Sequence, residues 1–295
     1  MISSQLTIVG CGVFGRAIVN GLLSDTSQSY SLSLTHRRPD AAKRLQNDYP
    51  NVLITTDNTD VRIWRSPQDL GTKHIVVIAT QPRYTGDVCR DIRQAFLAAD
   101  RTQQLVVVTV CPGITIKQLE SWLPLNTSIV RAMPNTPIAV RQGATGIFPN
   151  QCTSSVVASE VQSIFKRMSP VVALLPREDL LDIVASISGS APAYFFYLLQ
   201  NLVASGAARG LPIDIGRDLV VQSCLGAAVL AQTAPRTTLL ELLGHVCVPG
   251  GSTEKAIQTL DRFKSSMAIQ AAVEESWHAN CAMSKEALTE MGNIS

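Results

Sequence analysis

Three glycines near the start of the chain, Gly10, Gly12 and Gly15, stand between an apolar segment and a helix-forming segment. Residues 5–10 have the composition of a short buried strand, and the helix is predicted to continue to about Leu23. In this setting Gly-x-Gly-x-x-Gly is typical of a dinucleotide-binding turn. The first glycine makes the tight turn, the second lets the backbone approach a pyrophosphate, and the third lets the helix pack on the strand. We therefore expect an N-terminal dinucleotide site.

Apolar segments that suit buried parallel strands recur through the first half of the chain, separated by helical patterns. The predicted strands cover residues 30–35, 51–55, 74–80, 105–110 and 128–131. Strands that alternate with helices form a doubly wound sheet, an α/β fold of the Rossmann type, and ligands bind at the carboxyl ends of its strands. The turns after Gly10, Thr80 and Val110 are therefore expected to line one crevice, with an irregular loop at residues 133–137 beside it.

The residues that follow the second predicted strand bear on the choice of cofactor. An NAD-specific protein places an acidic residue there, which binds the ribose hydroxyls. This chain has His36, Arg37 and Arg38 instead, and arginine side chains suit a phosphate dianion. We therefore predict NADPH as the cofactor, with NADH possible. A solvated charge pair at a strand end is the alternative interpretation.

From about Cys152 the pattern becomes helical, apart from one further strand-like segment at residues 170–175. Two helical segments, one ending near Arg209 and one at residues 219–230, are apolar on nearly every side. Such helices in a water-soluble protein are buried in a core or in a subunit interface. We expect two domains: a dinucleotide-binding Rossmann domain over residues 1–168 and an all-helical dimerisation and substrate-binding domain over residues 169–295.

Composition argues against several other classes of protein. The formal net charge of +2 is too small to indicate binding to nucleic acid or to a membrane surface. The seven cysteines include no Cys-x-x-Cys pair and the four histidines have no ligand spacing, so we expect no metal site and reduced thiols in the cytoplasm. The longest apolar stretch, residues 219–234, is too short and too polar to span a membrane.

The turn from Val248 to Glu254 (VPGGSTE) lies between two predicted helices, at residues 237–247 and 253–260. Proline and paired glycines force a sharp turn with exposed amides. Ser252 and Thr253 follow where a helix should begin. Free amides and hydroxyls at a helix N-terminus suit an anion such as a carboxylate. An ordinary helix–helix turn is the alternative that this stretch by itself leaves open.

Three motifs follow the glycine turn along the chain. They are Arg131-Ala132-Met133-Pro134-Asn135-Thr136-Pro137, Ser188-Gly189-Ser190-Ala191-Pro192-Ala193-Tyr194 and Val248-Pro249-Gly250-Gly251-Ser252-Thr253. Together they resemble the pyrroline-5-carboxylate reductase family over nearly the whole chain. The resemblance implies a Rossmann domain followed by a helical domain that forms an intertwined homodimer, often within larger assemblies. It also implies NAD(P)H-dependent reduction of a small cyclic imine, 1-pyrroline-5-carboxylate, to L-proline in proline biosynthesis.

The resemblance further implies a set of site residues. The expected cofactor-binding residues are Gly10, Gly12, Val13, Phe14, Gly15, Arg37, Arg38, Asn58, Ala79, Thr80 and Pro82. Cys111 and Asn135, in the turns after two later strands, complete that set. The substrate carboxylate is expected at Val248, Gly250, Gly251, Ser252 and Thr253. The hydroxyl of Thr253 is expected nearest to the imine nitrogen, which makes Thr253 the candidate catalytic residue.

Four residues depart from the family's usual pattern: Gln81, Pro112, Ala191 and Val248. Val248 matters most, because the family has serine there and the lost hydroxyl removes one hydrogen bond to the carboxylate, on the order of 1 kcal/mol. Two alternatives therefore stay open: a reductase of another imine acid, such as the six-membered analogue, and a cofactor-binding paralogue with little catalysis. A hydroxyacid dehydrogenase is disfavoured, because it would need a lysine that residues 188–210 lack.

Overall fold

The computed structural model describes residues 4–24, 30–64, 73–99 and 104–292, with side chains up to Met283. Its contacts divide the chain into two compact units. The first, which we call the sheet unit, runs to Gly189 and includes the chain again from Trp277. The second, which we call the helical unit, is Ser190–Ser276.

The sheet unit is built on eight strands in the described residues. They are β1 (Ser4–Val9), β2 (Tyr30–Thr35), β3 (Leu53–Thr55), β4 (Lys73–Ile78), β5 (Gln104–Thr109), β6 (Ser128–Pro134), β7 (Ala144–Pro149) and β8 (Val171–Leu174). They form one sheet in the order β3-β2-β1-β4-β5-β6-β7-β8. The first six strands of this order are parallel. The chain moves outward from β1 in one direction and then in the other, as a doubly wound fold requires.

Helices cover both faces of this sheet. Those wholly within the sheet unit are α1 (Val13–Leu23), α2 (Pro39–Asp48), α3 (Val61–Trp64), α4 (Thr85–Ala98), α5 (Ile116–Trp122), α6 (Ser155–Lys166) and α7 (Leu180–Val184). One apolar cluster packs the sheet against α1 and α6 through Ile18 and Phe165. A second packs the opposite face against α4 and α5 through Ile92 and Leu119. The α/β fold of the Rossmann type is therefore confirmed.

The connection that follows β6 differs from the expectation of an irregular loop at residues 133–137. Met133 and Pro134 end β6, where Pro134 lies opposite Thr145 of β7. β7 runs antiparallel to β6 and was not expected from the sequence. A 3-10 turn, Thr136–Val140, joins the two strands after Asn135. Proline is tolerated at Pro134 because the end of a strand needs no further ladder donor.

The strand expected at residues 170–175 is β8, which pairs in parallel with β7. It therefore extends the sheet, and the sheet unit continues past α7 and a π-helical turn at Ala185–Gly189. The boundary between the two compact units thus lies after Gly189, whereas the domain boundary expected from the sequence follows Met168.

The helical unit has no apolar core of its own in the described residues. Its helices are α8 (Ala191–Ala207), α9 (Ile213–Thr233), α10 (Leu239–Val246) and α11 (Ser252–Arg262), and α12 (Ser265–Gly292) begins in it. Gly216 is the single buried residue that the structure describes in α8 to α11. Large apolar side chains are exposed instead, among them Phe196 at 67% and Leu240 at 77%. In the part of the chain that the structure describes, no helix combines the length and hydropathy needed to cross a membrane.

Candidate functional site

A cavity of about 400 Å³ lies at the carboxyl ends of β1, β2, β3 and β4 in the sheet unit. It is lined by Val9, Gly10, Gly12, Thr35, His36, Arg37, Thr56, Asp57, Asn58, Ala79, Thr80, Gln81, Tyr84, Asp87, Val88 and Asp91. Ligands of doubly wound sheets bind at this edge, beside the strand from which the order diverges. The turns after Gly10 and Thr80 line the cavity as expected.

The three glycines of the first turn have different surroundings. Gly10 has φ of +84°, and a Cβ added there would lie 2.5 Å from Cγ2 of Thr80. A Cβ on Gly15 would lie 3.0 Å from the carbonyl oxygen of Gly10. A Cβ on Gly12 would meet no protein atom within 4 Å. The first and third glycines are therefore required by the protein itself, whereas the space beside Gly12 is left open at the cavity.

The two arginines after β2 are placed differently. Arg37 lines the cavity, and its guanidinium carbon lies 4.2 Å from the ring centroid of Tyr84. Arg38 does not line the cavity; it precedes α2, and its backbone amide donates to Nδ1 of His36 at 3.2 Å. Burial, followed by the charge of Arg38, lowers the pKa of His36. His36 is therefore a neutral ring at neutral pH, and Arg37 is the cation that faces the cavity.

Asn58 is held by hydrogen bonds on both sides of its amide. The hydroxyl of Thr35 donates to Oδ1 of Asn58 at 2.7 Å, and Nδ2 of Asn58 donates to Asp91 at 2.9 Å. The indole nitrogen of Trp64 donates to the Asn58 carbonyl at 2.8 Å. These contacts join the ends of β2 and β3 to α4. They hold Asn58, an expected cofactor-binding residue, in the cavity wall.

Ala79 and Thr80 also line the cavity, but seven residues of the expected cofactor set do not. Arg38 is one of the seven; the others are Val13, Phe14, Gly15, Pro82, Cys111 and Asn135. Val13 is exposed at the start of α1, Phe14 packs against the first apolar cluster, and Pro82 opens a 3-10 turn that ends at Tyr84. The turn after Val110 thus does not reach the cavity lining.

Cys111 and Asn135 are engaged by the protein. The buried thiol of Cys111 donates to the carbonyl oxygen of Thr80 at 3.1 Å, which braces the turn that does line the cavity. Oδ1 of Asn135 accepts from the amide of Ala144 at 2.9 Å, and its Nδ2 donates to the carbonyl oxygen of Ser188 at 3.3 Å. Both side chains therefore support the backbone around the site.

Sequence reasoning missed a group of cavity residues on the first turns of α4. They are Asp87, Val88 and Asp91, together with Tyr84, which directly precedes α4. Their spacing of three and four residues places them on one helix face, and that spacing was visible in the sequence. It did not indicate which face of the helix turns towards the cavity. Asp57 also lines the cavity, and its carboxylate accepts from the amide of Thr59 at 2.8 Å.

The turn at residues 248–254 lies in the helical unit. Gly250 has φ of +77°, and its amide donates to Oε2 of Glu254 at 2.8 Å. Gly251 precedes α11, and no side chain caps that helix. In the described residues, the amides of Ser252 and Thr253 have no protein acceptor. Val248 is exposed at 59%. The turn therefore presents two free amides and the Thr253 side chain at a positive helix end.

Comparison with known proteins places this chain in a family. The family model described as pyrroline-5-carboxylate reductase dimerisation matches residues 178–283. A delta-1-pyrroline-5-carboxylate reductase of Gibberella fujikuroi is 46% identical over 284 residues, which cover 95% of this chain and 96% of that protein. A pyrroline-5-carboxylate reductase of Mycobacterium leprae is 32% identical, over 93% of this chain and 95% of that protein.

Among solved structures, a pyrroline-5-carboxylate reductase from Coxiella burnetii superposes with a TM-score of 0.83 at 28% identity, covering 96% of this chain and 99% of that one. A Plasmodium falciparum pyrroline carboxylate reductase with NADP bound has the same fold, with a TM-score of 0.78 at 22% identity over 95% of this chain and 98% of that one. These matches extend over both units. The chain belongs to the pyrroline-5-carboxylate reductase family.

Proposed function

We propose that this chain is an NADPH-dependent reductase that converts the cyclic imine 1-pyrroline-5-carboxylate to L-proline. The observation that carries the proposal is the 46% identity, over 95% of the chain, to a protein named delta-1-pyrroline-5-carboxylate reductase. The cavity at the ends of β1, β2 and β4 supports it, since a dinucleotide requires a site of this kind. NAD(P)H use follows from the family, and the preference for NADPH follows from Arg37.

In this proposal the sheet unit binds the cofactor through its own backbone and side chains. The turn at Gly10 to Gly12 receives the pyrophosphate, because the space beside Gly12 is open and α1 begins there. Asn58 and Thr80 line the same cavity and would contact the ribose. When bound, NADPH would supply a hydride from C4 of its nicotinamide to the imine carbon of the ring, which is C2 of 1-pyrroline-5-carboxylate and becomes C5 of proline. A protonated imine already accepts a hydride well, so the protein needs to orient the ring and exclude water.

The helical unit holds the substrate carboxylate at the N-terminus of α11. The free amides of Ser252 and Thr253 donate to the carboxylate, and the positive end of the helix macrodipole adds to the attraction. The Gly250 amide contributes little, because Glu254 already accepts from it at 2.8 Å. The hydroxyl of Thr253 accepts a hydrogen bond from the protonated imine nitrogen, and Val248 and Gly251 line the ring.

The enzyme works as a homodimer or a larger homo-oligomer. The family model that matches residues 178–283 is one for dimerisation, and it includes the helices whose apolar side chains are exposed in this chain. A second copy is the natural cover for such a surface, since soluble proteins rarely leave large apolar patches in water.

None of the seven cysteines forms a disulfide. That agrees with a cytoplasmic location, which fractionation of cells that express the tagged protein would test.

The central experiment is an assay with purified protein, NADPH and racemic pyrroline-5-carboxylate, in which the loss of NADPH absorbance is followed. We expect turnover, with proline as the product. The six-membered imine acid serves as a parallel substrate. Intact NADPH binding with no turnover of the five-membered ring at millimolar concentration would refute the proposal.

The carboxylate site is tested by substitutions in the turn. Thr253→Val should lower kcat/KM for the imine about ten-fold, because a hydrogen bond to a charged group is lost. Thr253→Ser, which keeps the hydroxyl, should retain most of the activity. Val248→Ser should lower the KM for pyrroline-5-carboxylate by a few-fold through an added hydrogen bond. Unchanged imine kinetics in both Thr253→Val and Val248→Ser would show that the turn is only a connection between helices.

A further inference from the structure

The Arg37–Tyr84 contact spans the end of β1. Arg37 lies in the turn after β2, and Tyr84 ends the 3-10 turn after β4. β2 and β4 are the two neighbours of β1 in the sheet. The guanidinium carbon of Arg37 lies 4.2 Å from the ring centroid of Tyr84, and both residues line the cavity. The pair therefore joins opposite walls of the cavity.

The positive charge of Arg37 is not neutralised by the protein. In the part of the chain that the structure describes, no carboxylate forms an ion pair with Arg37. The cavity's own carboxylates are engaged elsewhere: Asp87 pairs with Arg90, Asp91 accepts from Asn58, and Asp57 accepts from the amide of Thr59. A guanidinium has several N–H donors in its plane, more than its contact with Tyr84 can use. These donors are available to an anionic ligand.

We propose that Tyr84 is a positioning residue for cofactor specificity. Its ring holds the guanidinium of Arg37 at the cavity wall, where Arg37 receives the 2′-phosphate of NADPH. The preference for NADPH over NADH then depends on the Arg37–Tyr84 pair and much less on Arg38, which does not line the cavity. This inference rests on the proposed use of NADPH and names the residues that would determine it.

Arg83 provides a matched control, because it also contacts Tyr84. Its guanidinium carbon lies 4.8 Å from the centroid of the same ring. However, Nε of Arg83 donates to Oε1 of Gln81 at 3.1 Å, and Arg83 does not line the cavity. Stacking on Tyr84 is therefore common to both arginines, while access to the ligand belongs to Arg37.

The test measures binding, by titration calorimetry on the full chain, of adenosine 2′,5′-bisphosphate and of 5′-AMP, which lacks the 2′-phosphate. Arg37→Ala should weaken the bisphosphate about ten-fold or more and 5′-AMP far less, because bonds to a charged phosphate are lost. Tyr84→Leu should weaken the bisphosphate about two- to five-fold, the range of an exposed cation–π contact, and leave 5′-AMP nearly unchanged. Tyr84→Phe, which keeps the ring, should retain most of the affinity for the bisphosphate.

A double substitution separates positioning from direct contact. If Tyr84 acts through Arg37, Tyr84→Leu should have no further effect on the bisphosphate once Arg37 is alanine. Arg83→Ala should leave the ratio of the two affinities unchanged. The proposal is overturned if Tyr84→Leu weakens both ligands equally, or if it still weakens the bisphosphate in the Arg37→Ala background.

These measurements contain no imine substrate, so they are independent of the reductase assay. Failure of the chain to reduce pyrroline-5-carboxylate would leave the binding result standing. Conversely, a chain that reduces the imine while Arg37→Ala binds both nucleotides as the unsubstituted chain does would keep the proposed function and lose this inference. In the active enzyme, Tyr84→Leu should raise the KM for NADPH and change kcat and the KM for NADH little.

Discussion

The sheet unit and the helical unit handle apolar residues in opposite ways. In the sheet unit, helices on both faces of the sheet bury two continuous clusters, in which Ile18 and Ile92 are fully buried. In the helical unit, α8 and α9 are as apolar as a core helix, yet Phe196 and Leu230 are more than half exposed. The difference shows that the first unit completes its core within one chain. The second leaves apolar faces exposed within one chain, as a unit that associates with another copy does.

Buried polar groups reinforce this contrast. In the sheet unit, Arg131 is almost fully buried and pairs with Glu178 at 2.6 Å, and the hydroxyl of Thr145 lies 2.7 Å from that of Ser169. Such pairs are costly unless their geometry is satisfied. We expect them to favour one arrangement of the elements that carry them. The described helices of the helical unit contain no comparable buried pair, so their arrangement depends on apolar contact.

The largest expected effect comes from placing a charge on the apolar surface of the helical unit. Phe196→Glu should dissociate the proposed homodimer, because burying an unpaired carboxylate in an apolar interface costs on the order of 5 kcal/mol. Leu125→Glu is the matched control, since Leu125 is 91% exposed in the sheet unit. Sedimentation equilibrium measures the mass of each variant. A Phe196→Glu protein that remains dimeric would contradict this account of the helical unit, because Phe196 of α8 would then lie outside the subunit contact.

The next effect concerns the backbone of the sheet unit. Gly10→Ala should lower the free energy of unfolding by about 3 kcal/mol, because a left-handed alanine is strained and its Cβ would clash with Thr80. Gly12→Ala should change stability by less than about 1 kcal/mol, since its surroundings are open, and should weaken NADPH binding. Urea unfolding and cofactor titration measure the two quantities. If Gly12→Ala destabilises as much as Gly10→Ala, the second glycine serves the fold and not the ligand.

A buried histidine makes the stability of the sheet unit depend on pH. Burial lowers the pKa of His74 to about 3, and Nε2 of His74 lies 2.8 Å from the hydroxyl of Thr7. Below about pH 6.5 the unfolded chain binds a proton that the folded chain does not. This contribution to stability is therefore complete above about pH 6.5 and is lost as the pH falls towards 3, by at most about 1.4 kcal/mol per unit.

The measurement is the urea midpoint between neutral pH and about pH 5, followed by tryptophan fluorescence, since the ring of Trp64 lies 4.8 Å from that of His74. His74→Gln should reduce the slope of the midpoint with pH in this window, because glutamine does not titrate. An equal slope in the substituted and unsubstituted chains would mean that other groups dominate the acid sensitivity of the sheet unit.

The smallest expected effect compares two helix caps that share a threonine but differ in its partner, Gln118 in one and Glu241 in the other. Thr115 caps α5 in the sheet unit and Thr238 caps α10 in the helical unit, each with a complete capping box. Replacing either threonine by alanine should cost about 1 kcal/mol. Thr115→Ala should cost more, because its contacts are partly buried whereas those of Thr238 are exposed. Hydrogen exchange of each helix measures the cost. A larger effect at Thr238 would indicate that the start of α10 is covered in the assembly.

Local signals predicted much of the sheet unit correctly. The bounds of β2 agree with the strand expected at residues 30–35, and Pro39, which suits the first turn of a helix, begins α2. The sequence did not predict β7, because its segment contains Gly146 and ends at Pro149. β7 pairs antiparallel with β6. Glycine and proline within a short apolar run weaken a strand prediction. The strand forms nevertheless, because its backbone pairs with β6.

The residues of the candidate site also include some that the sequence predicted and some that it missed. Residues that directly follow a strand, such as Gly10, Arg37 and Thr80, were placed at the crevice from the sequence and do line the cavity. Tyr84 and Asp91 were missed, because their orientation depends on how α4 rests on the sheet. Cys111 follows a strand as well, but its thiol turns inward to the carbonyl of Thr80. Strand ends thus predict the location of a site better than they predict which side chains reach it.

The sequence by itself determined the class of fold, the glycine turn, the apolar excess of the second half and the family resemblance. These depend on residues close together in the chain, or on motifs kept in order along it. Only the tertiary structure decided that Arg37 faces the cavity while Arg38 does not, and that Asn135 is used by Ala144 and Ser188. It also decided that the apolar faces of α8 and α9 stay uncovered within one chain. The physical reason is that side-chain direction and burial depend on packing between elements far apart in sequence.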